Sequence, residues 1–307
     1  MDLTLRQLSV FVAVARAASF TAAAGELHVS QSSLSRTVAD MERVVGARLL
    51  RRDTRNVEVT DEGAELLEIA EHILAVHRAG MRQLARYQQG GRGTVTVAAL
   101  PSVAGVLLPA VLPVFREHWP DISVRILDGL ARSVVDSVAA GDADFAITVS
   151  EGLPDWLDRR PLVRDRFGAV FPRGHRLAAA ESVRWADIAG ERFIAMGASS
   201  SVRAFTDAAF TQAGVRAGGV VEASNIVTVG GLVAAQLGVS ALPSLVRALL
   251  GFADIEQRPL VEPVVDRQLD VVLPTDRALP PAARRFLELL EDLRRSQAPL
   301  PEDVTWS

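Results

Sequence analysis

Residues 28–43 read HVSQSSLSRTVADMER, and the spacing of their apolar positions decides the first part of the fold. Leu34, Val38 and Met41, with Val45 just beyond, are separated by four, three and four residues. That is the single apolar stripe of a helix laid on a core. At 100° per residue the other three fall within about 40° of Leu34. The opposite face, at roughly 140–200°, carries Ser32, Arg36, Ala39 and Arg43 in place of the usual mixture of glutamate and lysine. A helix that enters the major groove needs that profile. Short side chains permit close approach, arginine reaches guanine edges or phosphates, and glutamine or serine suits adenine or the backbone. Gln31, Ser32 and Ser33 fall in the first turn, where backbone amides also meet a phosphate. An ordinary solvated helix whose serines only cap it is the competing reading of this helix taken alone.

The flanks weigh on that choice. A short helix through Ala24 and Leu27, which Thr21 is placed to cap, leads by the tight turn His28-Val29 to Ser30 as N-cap. Two short helices joined so briefly form a helix-turn-helix. Upstream, Thr4-Leu5-Arg6-Gln7 is a capping box, followed by one apolar face of Leu5, Leu8, Val12 and Ala15. Downstream, ARLLRRDTRNVEVT gives two extended pieces around Asp53-Thr54-Arg55-Asn56, a small β-wing that offers Arg55 and Asn56 to an adjacent groove or phosphate. Net charge over the chain is −4, yet residues 43–56 hold five arginines against Asp53 alone. With the wing and this basic cluster, DNA reading is the preferred interpretation. All 33 basic residues are arginine, which reflects composition bias before function.

The 307 residues, 49% hydrophobic, suffice for two or three domains at roughly 100–200 residues each. No run approaches the roughly 18 apolar residues of a membrane span, and Met1-Asp2-Leu3-Thr4 opens no secretion signal. A cytoplasmic protein without a membrane partner is expected. The absence of cysteine excludes disulfides and thiolate chemistry. His72 and His77, five apart, lack the i, i+4 spacing of a helical zinc pair, so neither a metal nor a cofactor is expected.

Thr60-Asp61-Glu62 caps a long helix with acids in its first turn, running to about Gln89. Leu67, Leu74 and Met81 recur every seven residues, as do Ala70, His77 and Leu84. Such heptads predict pairing with a second copy through Leu67, Leu74, Met81 and Leu84, against the plainer alternative of packing on the helix's own domain. GGRG at 90–93 reads as a hinge. From Thr94 on, the strands TVTVAA, ISVRILD, DFAITVS, RFIAM, GVVEA and GVSALP alternate with helical runs near 102–118, 131–140, 201–213 and 226–236. That order predicts a mostly parallel sheet covered by helices. Extended segments around Leu162–Pro172 and Leu260–Pro274 are suited to cross between two α/β lobes.

The stretch LRQLSVFVAVARAASFTAAAGELHVSQSSLSRTVADMERVVGARLLRR, followed by VEVTDEGAELL, resembles the LysR-type transcriptional regulators. The likeness is dense over residues 3 to about 75. It continues more loosely through LPAVLPVFREHWPDISVRI, GDADFAI and GLVAAQLGVSALP. Ser32 departs from the pattern, because members commonly carry proline at this first helical position; serine is tolerated there and alters groove contacts more than fold. The resemblance implies that Ser33, Ser35 and Arg36 lead the DNA contacts with Gln31 and Ser32, that Arg55 is the wing contact, and that the assembly is a homodimer or homotetramer. RNA polymerase is a further candidate partner.

The expected architecture is an α+β N-terminal winged helix-turn-helix plus long linker helix, joined to an α/β two-lobe effector domain like that of periplasmic binding proteins. Its parts are residues 1–58, the linker 59–89, the hinge 90–93 and the effector domain 94–307. Lobe I covers about 94–162 and 268–300, and lobe II about 163–267. Ligands of such lobes belong at the carboxyl ends of strands in the cleft. Ser102 and Val103 follow the strand TVAALP, Ile147 and Thr148 close DFAIT, and Ser199, Ser200, Ser201 and Val202 open the helix after FIAM. Serines at helix starts suit a carboxylate, although N-capping is the commoner fate of such residues. The expected partners are double-stranded DNA, a small-molecule effector and a second copy of the chain. The alternative is a small-molecule-binding protein or enzyme of the two-lobe class without DNA binding. No G-x-S-x-G, P-loop or metal-ligand pair supports an enzyme, and Asp142 and Asp144 in GDADF read as a helix-to-strand turn.

Overall fold

The computed structural model describes residues 2–52, 57–88, 93–149 and 156–307, and the chain divides into two compact units. The first unit opens with α1 (Leu5–Ala17), whose capping box is formed by Thr4 and Gln7. Ala18 then turns left-handed at φ 47°, so α2 (Phe20–Glu26) starts at once. Its N-cap is therefore Ser19, whose hydroxyl accepts from the Ala22 amide at 3.3 Å; Thr21, the expected cap, sits exposed inside the helix. The following turn places His28 at φ 54° and leads to α3 (Gln31–Val45), capped by the Ser30 hydroxyl on the Ser33 amide. Gly46 ends α3 at φ 80°, where glycine carries no Cβ penalty.

Leu34, Val38 and Met41 are buried together with Phe11, Val14 and Phe20. The wing strands β1 (Leu50–Arg52) and β2 (Val57–Val59) pair antiparallel, with Leu50 opposite Val59. Arg55 and Asn56, between them, lie outside the described residues. The 28-residue α4 (Asp61–Gln88) begins at Thr60, whose hydroxyl accepts from the Gly63 amide and donates to the Arg48 carbonyl. Leu74 is buried in the unit's own core and Leu67 is half-buried against it, whereas Met81 and Leu84 are exposed. The apolar positions that α4 leaves exposed also include Ile69, Ile73 and Val76. The first half of the repeat, Leu67, Ala70 and Leu74, thus serves the local core, whereas Met81 and Leu84 further along do not.

The second unit contains β3 (Thr94–Ala99), a π-helical turn (Val103–Leu107) continuing into α5 (Leu108–His118), β4 (Ser123–Asp128), α6 (Ala131–Ala139) and β5 (Phe145–Thr148). Next come β6 (Leu157–Pro172), β7 (Val183–Arg184), α7 (Trp185–Ala189), β8 (Arg192–Met196), α8 (Ser201–Gln212), β9 (Gly218–Ala223), α9 (Ile226–Ala234) and β10 (Ser240–Pro243). The chain closes with α10 (Ser244–Arg247), β11 (Ile255–Val261), β12 (Asp266–Pro274), α11 (Pro281–Arg295) and β13 (Val304–Trp306). β3 lies parallel between β4 and β5, and β8 parallel to β9.

The sheet is mixed where a mostly parallel one was expected. The chain leaves the first lobe along β6 and returns along β12, so these strands run in opposite directions and pair antiparallel from Leu157↔Pro274 to Arg166↔Asp266. Past that seam β6 pairs instead with β10 and β11. Two main cores result, beside a smaller cluster around Val134, Val138 and Val272. One gathers Val97, Phe115, Phe145, Leu269 and Phe286, and the other Phe171, Trp185, Phe193, Phe210 and Val233. Aromatic contacts brace both, with Phe115 and Phe286 rings 4.8 Å apart and Phe193 and Phe210 edge-on at 5.0 Å.

Two glycines separate packing from propensity. A Cβ at Gly63 would run into the Leu49 carbonyl and the Val59 side chain, whereas one at Gly25, inside α2, meets nothing within 4 Å. Gly63→Ala is expected to destabilise by about 1–3 kcal/mol or more, and Gly25→Ala to stabilise by roughly 0.5–1 kcal/mol. Urea unfolding followed by far-UV circular dichroism distinguishes the two; equal effects would show that the close approach at Gly63 is wrong.

Candidate functional site

The exposed side of α3 has the composition its sequence predicts. Gln31, Ser32, Ser33, Arg36 and Arg43 are exposed and Ser35 is half-buried. Arg43 is held by Asp40 at 2.8 Å, while Arg36 makes no ion pair among the described residues and is available to a base edge or phosphate. Ser32 Oγ lies 3.1 Å from Ser30 Oγ, close to the amides of the first turn. Glu42, a residue the sequence pattern did not single out, accepts from the Leu49 and Leu50 amides at 2.9 and 3.3 Å. It ties the first wing strand to α3, so helix and wing hold one orientation.

In the second unit a cavity of about 110 Å³ opens between the two lobes. Helix starts surround it: Ser102 before the π-helical turn, Ala131 opening α6, Ser201 opening α8 and Ile226 opening α9. The positive ends of their dipoles make the space favourable to negative charge. Of the eight positions proposed from sequence, Ser102, Ser200, Ser201 and Val202 line it. Val103 and Ile147 are instead buried in the first-lobe core, Ser199 is exposed elsewhere, and Thr148 is fully buried with no partner for its hydroxyl among the described residues.

Ser102 is not an N-cap. Its backbone is already helical at φ −66°, ψ −37°, and its hydroxyl accepts from Arg267 Nη2 at 3.3 Å. Ser200 does cap α8, through the Val202 amide at 3.2 Å.

Arg267 is the cavity-lining residue that the motif reading missed. It lines the cavity from β12 and stands directly opposite Asp165 of β6. Nε and Nη2 bond the two carboxylate oxygens at 2.9 and 2.7 Å, with side-chain exposures of only 2% and 0%. Asp165 also accepts from the Leu245 amide at 3.3 Å, whereas Arg267 Nη1 has no partner among the described residues. The signal was present in strand periodicity. Asp165 alternates with Val163 and Phe167, and Arg267 with Val265 and Leu269, so each charge falls on an apolar face where only a paired ion is tolerated.

Two family models match the chain. One, described as "Bacterial regulatory helix-turn-helix protein, lysR family", covers residues 5–64, and the other, "LysR substrate binding domain", covers residues 88–295. The chain belongs to the LysR family of transcriptional regulators. Among curated relatives of this LysR regulator is the uncharacterized HTH-type transcriptional regulator YfeR of Shigella flexneri, 33% identical over 95% of this chain and 94% of the relative. Another is YbhD of Escherichia coli K12, also an uncharacterized HTH-type regulator, 32% identical over 94% of this chain and 91% of its own.

Full-length OxyR from Pseudomonas aeruginosa shares the fold with a TM-score of 0.61 at 23% identity, covering 95% of this chain and 94% of that one. CbnR, a LysR family transcriptional regulator, gives 0.61 at 23%, covering 94% and 99%. The effector binding domain of QuiR, solved in complex with shikimate, gives 0.59 at 19%, covering 64% and 95%. This LysR regulator therefore joins a helix-turn-helix DNA-binding domain to an effector-binding domain, and its family is one of DNA-binding regulators and not of enzymes. Among the described residues no helix is long and apolar enough to cross a membrane. None of them form a cluster of three or more His, Cys, Asp or Glu able to hold a metal.

Removing either member of a buried ion pair strands the other charge. Asp165→Ala and Arg267→Ala are each expected to cost about 3–5 kcal/mol, and the double variant clearly less than their sum. Tryptophan fluorescence during urea unfolding reads this domain directly, because all four tryptophans lie beyond residue 118. Additive losses would mean that the two side chains are not paired.

Proposed function

We propose that this LysR regulator binds its small-molecule effector in the cleft floored by Arg267, and that the exposed face of α3 reads an operator. The cavity itself carries the reading. It lies between two lobes, meets several helix starts and presents a buried, hydrogen-bonded arginine beside Ser102. The complex of the QuiR effector domain with shikimate, on the same fold, supports a small organic ligand. Ser102, Ser200, Ser201 and Val202 are the effector contacts retained from the sequence reading, with Arg267 added; Val103, Ile147, Thr148 and Ser199 have no direct part.

DNA contacts fall to Gln31, Ser32, Ser33, Ser35 and Arg36 on α3, with Arg43 at a phosphate and Arg55 and Asn56 in the wing. Two protomers pair through α4, whose exposed Ile69, Ile73, Val76 and Leu84 lie within about 80° of one another at 100° per residue. Met81, exposed one heptad beyond Leu74, extends the contact. Paired protomers set two recognition helices into successive major grooves, about one DNA turn or a multiple apart. Association of dimers into tetramers gives the effector something to alter. A ligand that favours one arrangement of lobes shifts the population of assembled states, provided that it binds those states unequally. Contact with RNA polymerase and a cytoplasmic location accompany this role.

Arg36→Ala is expected to lose about 1–3 kcal/mol on the specific operator with relaxed preference at one base position, whereas Arg43→Ala weakens binding to all sequences alike. Fluorescence anisotropy on operator and scrambled DNA separates these cases; a uniform loss for Arg36→Ala would demote it to a phosphate contact. Ser102→Ala is expected to leave operator affinity unchanged while blunting effector-dependent transcription. Loss of DNA binding in that variant would contradict the division of labour between the two domains.

A further inference from the structure

We infer that the effector is a compact monoanion, a carboxylate on a small apolar body, gripped by the Arg267 guanidinium; the inference rests on the cleft being the effector site. Charge is the first ground. Among the described residues no aspartate or glutamate lines the cavity, and Asp165 behind it is already engaged by Arg267 Nε and Nη2 and by the Leu245 amide. A cationic ligand would find no free counter-charge among those residues. The helix starts at Ser102, Ala131, Ser201 and Ile226 add positive potential from several sides, and α6, α8 and α9 are 9, 12 and 9 residues long.

Unmet donors are the second ground. Arg267 is 2% exposed, and its Nη1 has no acceptor among the described residues. Ser102, 4% exposed, accepts from Nη2, so its own hydroxyl proton remains to be given. Two donors on the cavity wall, Nη1 and the Ser102 hydroxyl, suit an acceptor with two oxygens, and a charged one makes the stronger bonds. Because Asp165 cancels most of the guanidinium charge, a single negative charge suits the site better than two. Asp165 acts as a positioning residue: its bidentate grip fixes the plane of the guanidinium and so the direction in which Nη1 is offered.

The remaining wall sets the ligand's body. Leu130, Met196, Ile226 and Leu249 face the same space, and about 110 Å³ lies well below the roughly 300–1,000 Å³ of drug-sized pockets. A short branched or single-ring skeleton fits, whereas a nucleotide or peptide does not.

The test measures the unfolding midpoint of the full-length protein with 3-methylbutanoate, cyclohexanecarboxylate and benzoate, each beside its primary amide and the corresponding amine. Ligands that bind the native state raise the midpoint with concentration. At least one acid is expected to do so at a concentration tenfold below any effect of its amide, with the amines inert. In the Asp165→Asn/Arg267→Gln double variant, which keeps a neutral hydrogen-bonding pair, the preference for acid over amide is expected to vanish. Amides or amines equal to the acids, or no acid shifting the midpoint, would overturn the inference. Ala131→Trp, which fills the cavity at the start of α6, separates the two levels. If it abolishes binding while acids and amides bind equally, only the anionic class is wrong. If acid binding survives it, the cleft is not the site and the underlying reading fails too.

Discussion

The second unit depends on one pairing, that of the two strands that carry the chain out of the first lobe and back again. Asp165 and Arg267 face each other across it, both buried, at the place where β6 changes partners from β12 to β10 and β11. A buried pair is tolerated only when its remaining donors and acceptors are satisfied. Here Ser102, ahead of the π-helical turn, and the Leu245 amide of α10 meet two of those groups, and Nη1 is the one left to the cleft. One ion pair thus ties both crossover strands, a helix start and the short helix beyond β10 to the floor of the cleft. Any ligand that engages Arg267 touches the element on which the relation of the two lobes rests.

The DNA-binding domain follows a different rule, the separation of faces on one helix. Leu34, Val38 and Met41 commit one side of α3 to the core, which leaves Ser32, Arg36 and Arg43 on the other with little bulk. Asp40 then restrains Arg43, so the two arginines of that face are not equivalent: one is held, the other available. Glu42 fixes the wing to the same helix through backbone amides. Geometry that must match a groove is therefore set by hydrogen bonds inside the domain before DNA arrives.

Much of this was legible in the sequence because local rules govern it. The caps at Thr4, Ser30 and Thr60, the acidic first turn of α4 and the stripe of α3 each depend on residues within one or two turns. What escaped depends on contacts distant along the chain. Ser19 displaced Thr21 because Ala18 bends left-handed, which no propensity announces. The heptad of α4 was real, but which of its positions meet the domain's own core is decided by the fold of residues 5–50. The mixed sheet follows from the return of β12 beside β6, about a hundred residues later. Serine at a helix start pointed toward the cleft, and Ser102, Ser200 and Ser201 do line it. The arginine at its floor is marked only by its place on an apolar strand face, and its meaning rests on a partner 102 positions away.

The measurement closest to the central claim, that this LysR regulator reads a specific DNA sequence as a paired assembly, is a footprint of the full-length protein on the DNA upstream of its own gene, titrated with salt beside scrambled DNA of equal length. Two protected half-sites about one helical turn or a multiple apart are predicted, with binding to the native fragment surviving salt that removes the protein from the scrambled one. Equal, weak and steeply salt-dependent binding to both fragments, without a footprint, would contradict it.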